Sequence, residues 1–419
     1  MGMQIYSSKS NAWRDAYNPL RGMSLPKLMG LLDAGERGQY ADLQWFYHFM
    51  ERSDAMVFSV MQRRRAALLS CDWDIRTVSG RDEGGNLIPE SEKTGPDSEQ
   101  KNAKSTKAQQ RSEARCGVNS GCDQVLADEQ VSMLRECYDR IENLREAVAF
   151  LFSGFFRGYA HLEKHYAESG IVQRLEPVEQ WFWVRDGMYA AWEYNQNAVS
   201  GRYRGVPIDP GNFVILDTVA LNRLLSMLYL GRTLTMKDWD SFLEIYGVPS
   251  VFLVGPPNTP EAKEEEYQRI ADHLMSDGRG YLPNGSDIKY VNGGGNHPPF
   301  RERLDYLDRQ ITLVATGGLL TMLTESGSGT LAGNAHLETF MQIARGDALT
   351  VSEVLQEHLD APLLAEFFPG QPVLAYFEFA PGVSDQSSRV VDDALKLSKA
   401  GVKVALEELS EKTGYKLQS

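Results

Sequence analysis

Two apolar helical stripes with a short mixed segment between them constrain this chain more than any other feature. The first places Leu221, Leu225, Leu228, Trp239, Phe242 and Tyr246 on one helical face, with Arg232 and Thr235 interrupting it. The second places Phe300, Leu304, Leu307, Ile311 and Val314 at spacings of four, three, four and three. Between them GVPSVFLVG reads as a strand closed by Pro256 and Pro257, and Thr259-Pro260 reads as the start of a polar helix. GRGYLP and SDIKYVN flank Asn284-Gly285, a hairpin signal. A small α+β module carried on two adjacent helices projects from the main body; an ordinary α+β domain with an internal subdomain gives the same pattern.

A second boundary is compositional. From Ser79 to Gln124 the only large apolar residues are Leu87, Ile88 and Val118. Such a stretch cannot bury enough surface to offset its ordering entropy, so residues 79–124 read as a surface insertion. Its charges are of both signs, unlike a basic DNA-binding arm.

Before that insertion, Leu25 to Ile75 reads as helix and then strand, with Phe49, Met56, Val60, Arg64 and Ala67 near helical spacing and CDWDIR alternating. Arg63, Arg64 and Arg65 fall mid-helix, as a solvated face, a subunit contact or a nucleic-acid patch. After it, a helix through MLRECYDRIENLREAVAFLFSGFF precedes antiparallel strand candidates in YAHLEKHY, VQRLEPVE, WFWVRDGMYAAWEY and FVILD. A long helix from about Asn334 to Leu359 is expected to bend at Arg345-Gly346-Asp347. A strand in PVLAYFEFAP, a helix over about Ser388–Ala400 and a short helix in LEELSEKTGY complete the pattern.

At 419 residues the chain is long enough for two or three domains. No apolar window of about 18 residues indicates a membrane span, and the N-terminus has no secretory apolar core, so the chain reads as cytosolic. The four cysteines form neither a disulfide framework nor a C-x-x-C pair. The net charge of −14 is unlike that of a protein that grips duplex DNA; it suits either solubility or a surface along which DNA slides. His161 and His165 do not make a zincin pair, because Glu163 lies between them at the wrong offset, and they read as two exposed strand histidines. TESGSGTLAG has no Gly-Lys-Ser/Thr and no preceding strand, so it reads as a loop between helices rather than a phosphate cradle. No catalytic, metal or cofactor-binding constellation emerges.

Several segments in order resemble one family. They are YNPLRGMSLPKLMGLLDAGERGQYADLQWFYHFMERSD, RRRAALLSCDWDI, MKDWDSFLEIYGVPSVFLVG and GGLLTMLTESGSGTLAGNAHLETF. Together they are similar to the portal proteins of Mu-like tailed phages, and the insertion at 79–124 departs from the usual pattern.

The resemblance implies an α+β portal fold of wing, stem, clip and short crown. On it, 1–220 is the wing region, 221–246 and 299–321 are the stem helices, and 247–298 is the clip. Residues 322–333 become the tunnel loop, 334–381 a long bent wing helix and strand, and 382–419 crown-like C-terminal helices. The DNA-facing residues are then Thr324, Glu325, Ser326, Gly327, Ser328, Gly329, Thr330, Leu331, Ala332 and Gly333, with Glu325, the one charge at the start of the loop, a candidate for an acidic lining that keeps phosphates from sticking, or equally an N-cap partner or a solvent-exposed group.

It further implies a homo-oligomeric ring of about twelve subunits. The ring sits at one capsid vertex of the virion, after assembly in the host cytoplasm, and passes double-stranded DNA during packaging and ejection. The partners implied are terminase, which hydrolyses the ATP, head–tail connector or neck proteins, and the major capsid protein; no cofactor and no membrane are implied. The rivals are another phage structural subunit, such as a capsid or baseplate component, and a nuclease or packaging ATPase. The last would need a phosphate loop or metal-spaced carboxylates.

Overall fold

The computed structural model describes residues 17–81, 87–89, 120–168, 170–201, 204–244, 250–254, 287–291, 299–318 and 330–380, with isolated positions at 260–269 and 394–395. It divides into two compact units, one of Met1–Leu225 with Thr312–Ser419 and one of Ser226–Ile311.

The first unit opens with α1 (Leu25–Glu36), α2 (Ala41–Ser53) and α3 (Ala55–Leu69). Asp54 separates α2 from α3 and caps the latter, its Oδ1 accepting from Met56 N at 2.9 Å and Val57 N at 3.0 Å. A cap of this kind stabilises a helix by about 1 kcal/mol. Strands β1 (Asp72–Arg81) and β2 (Leu87–Pro89) follow, so the polar stretch begins inside β1. Helix α4 (Ser120–Asp139) begins ahead of the apolar restart at Val125; residues 90–119 lie outside the described residues.

Helix α5 (Leu144–Arg157) ends at Gly158, whose φ of 96° is the left-handed geometry that glycine adopts without strain. The chain turns there into β3 (Tyr159–Tyr166), the middle strand of a β4–β3–β8 sheet with β4 (Val172–Val178) and β8 (Phe213–Asp217). Both pairings are antiparallel, as the alternation predicts. A second small sheet joins β5 (Trp183–Val184), β6 (Glu193–Tyr194) and β7 (Val206–Pro207).

Helix α6 (Asn222–Phe242), strands β9 (Ser250–Val254) and β10 (Asp287–Val291), and α7 (Phe300–Thr316) come next. β10 pairs antiparallel with β9, with Lys289 opposite Phe252. SDIKYVN therefore finds its partner in the VFLVG strand; Asn284-Gly285 and GRGYLP lie outside the described residues.

Helix α8 (Thr330–Leu355) continues through a π-helical turn, Gln356–Asp360, into α9 (Ala361–Phe367), and β11 (Ala375–Ala380) pairs with β1. The irregularity in this helix falls at Gln356–Asp360 and not at Arg345–Asp347. Its cause is Pro362, which has no N–H to offer the carbonyl four residues back, at His358. The buried Lys164 ammonium donates to that carbonyl instead, at 2.5 Å, and to Gly211 O at 3.0 Å. Burial also pushes the Lys164 pKa down to about 8. The C-terminal helices expected over 388–410 lie outside the described residues apart from 394–395.

Candidate functional site

In the second unit, α6 and α7 form one antiparallel pair. Leu307 packs over Gly231, Arg232 Nε meets Asp308 Oδ1 at 2.7 Å, Arg303 Nε donates to Thr235 Oγ1 at 3.1 Å, and Trp239 stacks on Phe300 at 6.2 Å. Residues ascending on one helix meet residues descending on the other. Arg232 and Thr235, which interrupt the apolar stripe in sequence, are thus the polar links between the helices. Outward-facing apolar residues remain on the pair: Met227, Leu234, Met236, Leu243 and Tyr306.

The last turn of α7, from Thr312, belongs to the first unit. Gly317 closes that helix at φ 69°, and a Cβ there would lie 2.6 Å from Ile343 Cδ1. The Thr316 hydroxyl is shared between Thr312 O at 2.8 Å and Gly318 O at 2.9 Å. Against this end stands α8, with Thr339, Ile343 and Asp347 on one stripe. Arg64 of α3 binds Asp347 with two hydrogen bonds, Nε to Oδ2 at 2.5 Å and Nη2 to Oδ1 at 2.6 Å. Its Nη1 donates to Ala315 O at 3.2 Å. The guanidinium also lies 5.9 Å from the Phe155 and Phe156 rings.

The arginine triplet therefore does not form one uniform face. Arg64 is buried in an ion pair, and the exposed Arg63 lies 5.7 Å over Phe340. The place of Arg64 on the helical stripe with Met56, Val60 and Ala67 was the one signal available; Asp347 is too distant in sequence to be read as its partner.

Of the expected loop, Thr324, Glu325, Ser326, Gly327, Ser328 and Gly329 lie outside the described residues. Thr330, Leu331, Ala332 and Gly333 belong to the first turn of α8, so the helix starts before Asn334.

A second buried network fixes α5 to α2. Arg157 donates to both Glu51 oxygens at 3.0 and 3.1 Å and to Gln180 Oε1 at 2.9 Å, and Asn222 Nδ2 donates to Glu51 Oε1 at 2.7 Å. Burial works against the Arg157 charge, but the Glu51 carboxylate beside it, together with Glu179 and Tyr159, raises its pKa on balance.

The histidines correct the sequence expectation. His161 is fully buried, because β3 is a central strand and the 181–183 aromatic run covers its second face; Glu163 is buried with it. Burial holds His161 well below the usual imidazole range, with Arg185 and His358 acting in the same direction. His165 is mostly buried, 3.5 Å from Glu163. Among the described residues, no group of three His, Cys, Asp or Glu is placed to hold a metal ion, and no helix is long and apolar enough to cross a membrane.

The model of one family, described as the portal protein of Mu bacteriophage, matches residues 44–415. The chain belongs to that family. Its function is that of a phage portal protein. Among curated relatives it is 20% identical over 404 residues to the Mu-like prophage FluMu protein gp29 of Haemophilus influenzae, covering 92% of this chain and 69% of the relative. It is 21% identical over 421 residues to the portal protein of Escherichia phage Mu, covering 95% and 72%.

Two solved structures share the fold. One is a chain in the virion of a native gene transfer agent particle, with TM-score 0.53 and 12% identity, covering 98% of this chain and 100% of that one. The other is a chain in the neck of the native particle, with TM-score 0.53 and 13% identity, covering 94% and 100%. The described residues of this portal chain mix helix and strand, as an α+β fold does.

Proposed function

We infer that the chain is one subunit of a closed ring of about twelve that forms the DNA channel at a capsid vertex of the virion. The observation that carries this reading is the family match over residues 44–415. The similar neck structure was computed with C12 symmetry, which supports a ring. Exposed Met227, Leu234, Leu243 and Tyr306 on the helix pair supply the apolar surface that neighbouring copies cover. The pair itself serves as the stem, and the module between Phe242 and Phe300 as the clip that docks terminase and then the neck proteins.

Double-stranded DNA slides rather than binds. The net charge of −14 works against counterion release on phosphate contact, and the small residues of 324–329 suit a DNA surface that does not share the ring's symmetry. Glu325 is the acidic group assigned to that lining. The major capsid protein surrounds the ring, and assembly takes place in the host cytoplasm. Deleting Thr324–Gly329 tests the channel assignment: rings should still form, while heads package or retain less DNA. Normal packaging and retention would remove these residues from the channel.

A further inference from the structure

We propose that two unlike surfaces of the first unit join neighbouring copies of this chain, a basic and aromatic cleft beside α3 taking the acidic stripe of α8 from the next subunit. This rests on the reading of the chain as a ring subunit.

The first surface is a cleft of about 380 Å³ between α2, α3 and α5. Phe58, Gln62 and Arg65 follow one another along α3 at its wall, and Arg52 stands in the last turn of α2. Phe58 is 49% exposed. Two acids also line the cleft, but each has a cation of its own: Glu51 binds Arg157, and Glu146 lies 3.7 Å from Arg174. Arg65 Nε is shielded from solvent and has no hydrogen-bond partner among the described residues. The cleft is left with positive charge and bare apolar surface.

The second surface is a groove of about 470 Å³ beside β11. Its helical wall is Leu349 and Glu353 of α8, with Glu357 on the π-helical turn that follows. Leu349 is 53% exposed, and both glutamates are exposed. The other acids of the groove are engaged: Glu378 pairs with Arg76, and Asp360 accepts from Tyr138 and Phe377. Glu353 and Glu357 form no ion pair among the described residues.

The two stripes match in length and order. Phe58 to Arg65 spans about 10 Å of helix and Leu349 to Glu357 about 12 Å, so apolar can meet apolar while guanidinium meets carboxylate. They cannot meet within one chain. Arg64 of α3 binds Asp347 of α8. The helical repeat puts Phe58, Gln62, Arg65, Leu349 and Glu353 about 100–160° round their helices from that contact. Both stripes are therefore turned away from the α3–α8 packing. Unlike patches that fit between copies make heterologous contacts, and these close into rings.

The test uses the purified full-length chain and two charge reversals, Arg52→Glu with Arg65→Glu and Glu353→Arg with Glu357→Arg. Folding is checked by circular dichroism and ring yield by electron microscopy with particle mass. Each reversed chain alone sets like charges against each other, so its ring yield should fall about tenfold or more. An equal mixture of the two should recover rings, because each reversed patch then meets its opposite on the other chain.

Wild-type ring yield from either folded variant alone overturns the proposal and leaves the Phe58 cleft to another partner. Loss of rings that mixing does not restore also overturns it, since the two patches would not be each other's partners. A wild-type chain that forms no rings sinks the ring reading, and the contact with it. Should a reversed chain misfold, Arg65→Gln with Glu357→Gln reads the same pair: ring dissociation by salt should become less steep than in wild type. An unchanged salt dependence overturns the proposal.

Discussion

The imidazole of His161 lies face to face with the indole of Trp183, ring centroids 3.8 Å apart and planes 17° from parallel. Neither ring nitrogen of His161 has a hydrogen-bond partner, and the ring is closed in by Tyr159, Trp192 and Phe213. The neutral form is the one this box accepts. A folded pKa below the unfolded value means that the unfolded chain binds the proton more readily. Stability is therefore present above about pH 6.5 and is lost as pH falls below it.

His161→Phe should flatten that acid slope and leave stability at neutral pH unchanged or higher by about 1 kcal/mol, since two unpaired polar atoms disappear. Thermal melts over a pH series check this. An unchanged acid slope would count against His161, leaving as sources His48, lowered to about 3 by burial with Arg157 and Arg52, and His358, also lowered by burial.

Asp360 is predicted to act with the opposite sign. Burial raises its pKa to about 6, against hydrogen bonds from Tyr138 Oη at 2.7 Å and Phe377 N at 2.6 Å. The folded chain then holds the proton more tightly than the unfolded one, so this contribution is full at low pH and is lost as pH rises through about 6. Asp360→Asn should be destabilising by about 1–2 kcal/mol at acid pH, where its amide faces the Phe377 N–H, and the deficit should shrink as pH rises. A deficit that grows with pH would contradict the assignment.

Gly317→Ala tests how closely α7 closes on α8. The positive φ and the 2.6 Å approach to Ile343 Cδ1 both oppose a methyl group. The expected cost is about 1–3 kcal/mol, and Ile343→Val should recover the steric part only. A neutral Gly317→Ala in chemical denaturation would show that this end is loose.

Much of this architecture is written locally. The stripe Phe300, Leu304, Leu307 and Ile311 sets α7, and strand alternation in YAHLEKHY sets β3. Burial of the same strand's second face was not legible, because it depends on Trp183 arriving from another sheet. Arg64 and Asp347 are 283 residues apart, so their pairing leaves no local trace. The π-helical turn needs Pro362 and Lys164 together, and only the proline is near it in sequence. The stretch before Asn334 looked like loop because its small residues mask a helix start at Thr330.

Lys164→Met should expose that dependence. It strands the His358 and Gly211 carbonyls, at a cost of about 2–3 kcal/mol. Pro362→Ala supplies a backbone N–H near His358, so the two substitutions should couple favourably in a double-mutant cycle. Strict additivity would mean that Lys164 does not substitute for the missing donor.

The most direct test of the portal assignment is electron microscopy of the purified chain, with its particle mass measured on the same sample. The account predicts rings with a central hole and a mass near that of about twelve subunits, each of 47.0 kDa. A compact oligomer with no hole would contradict it.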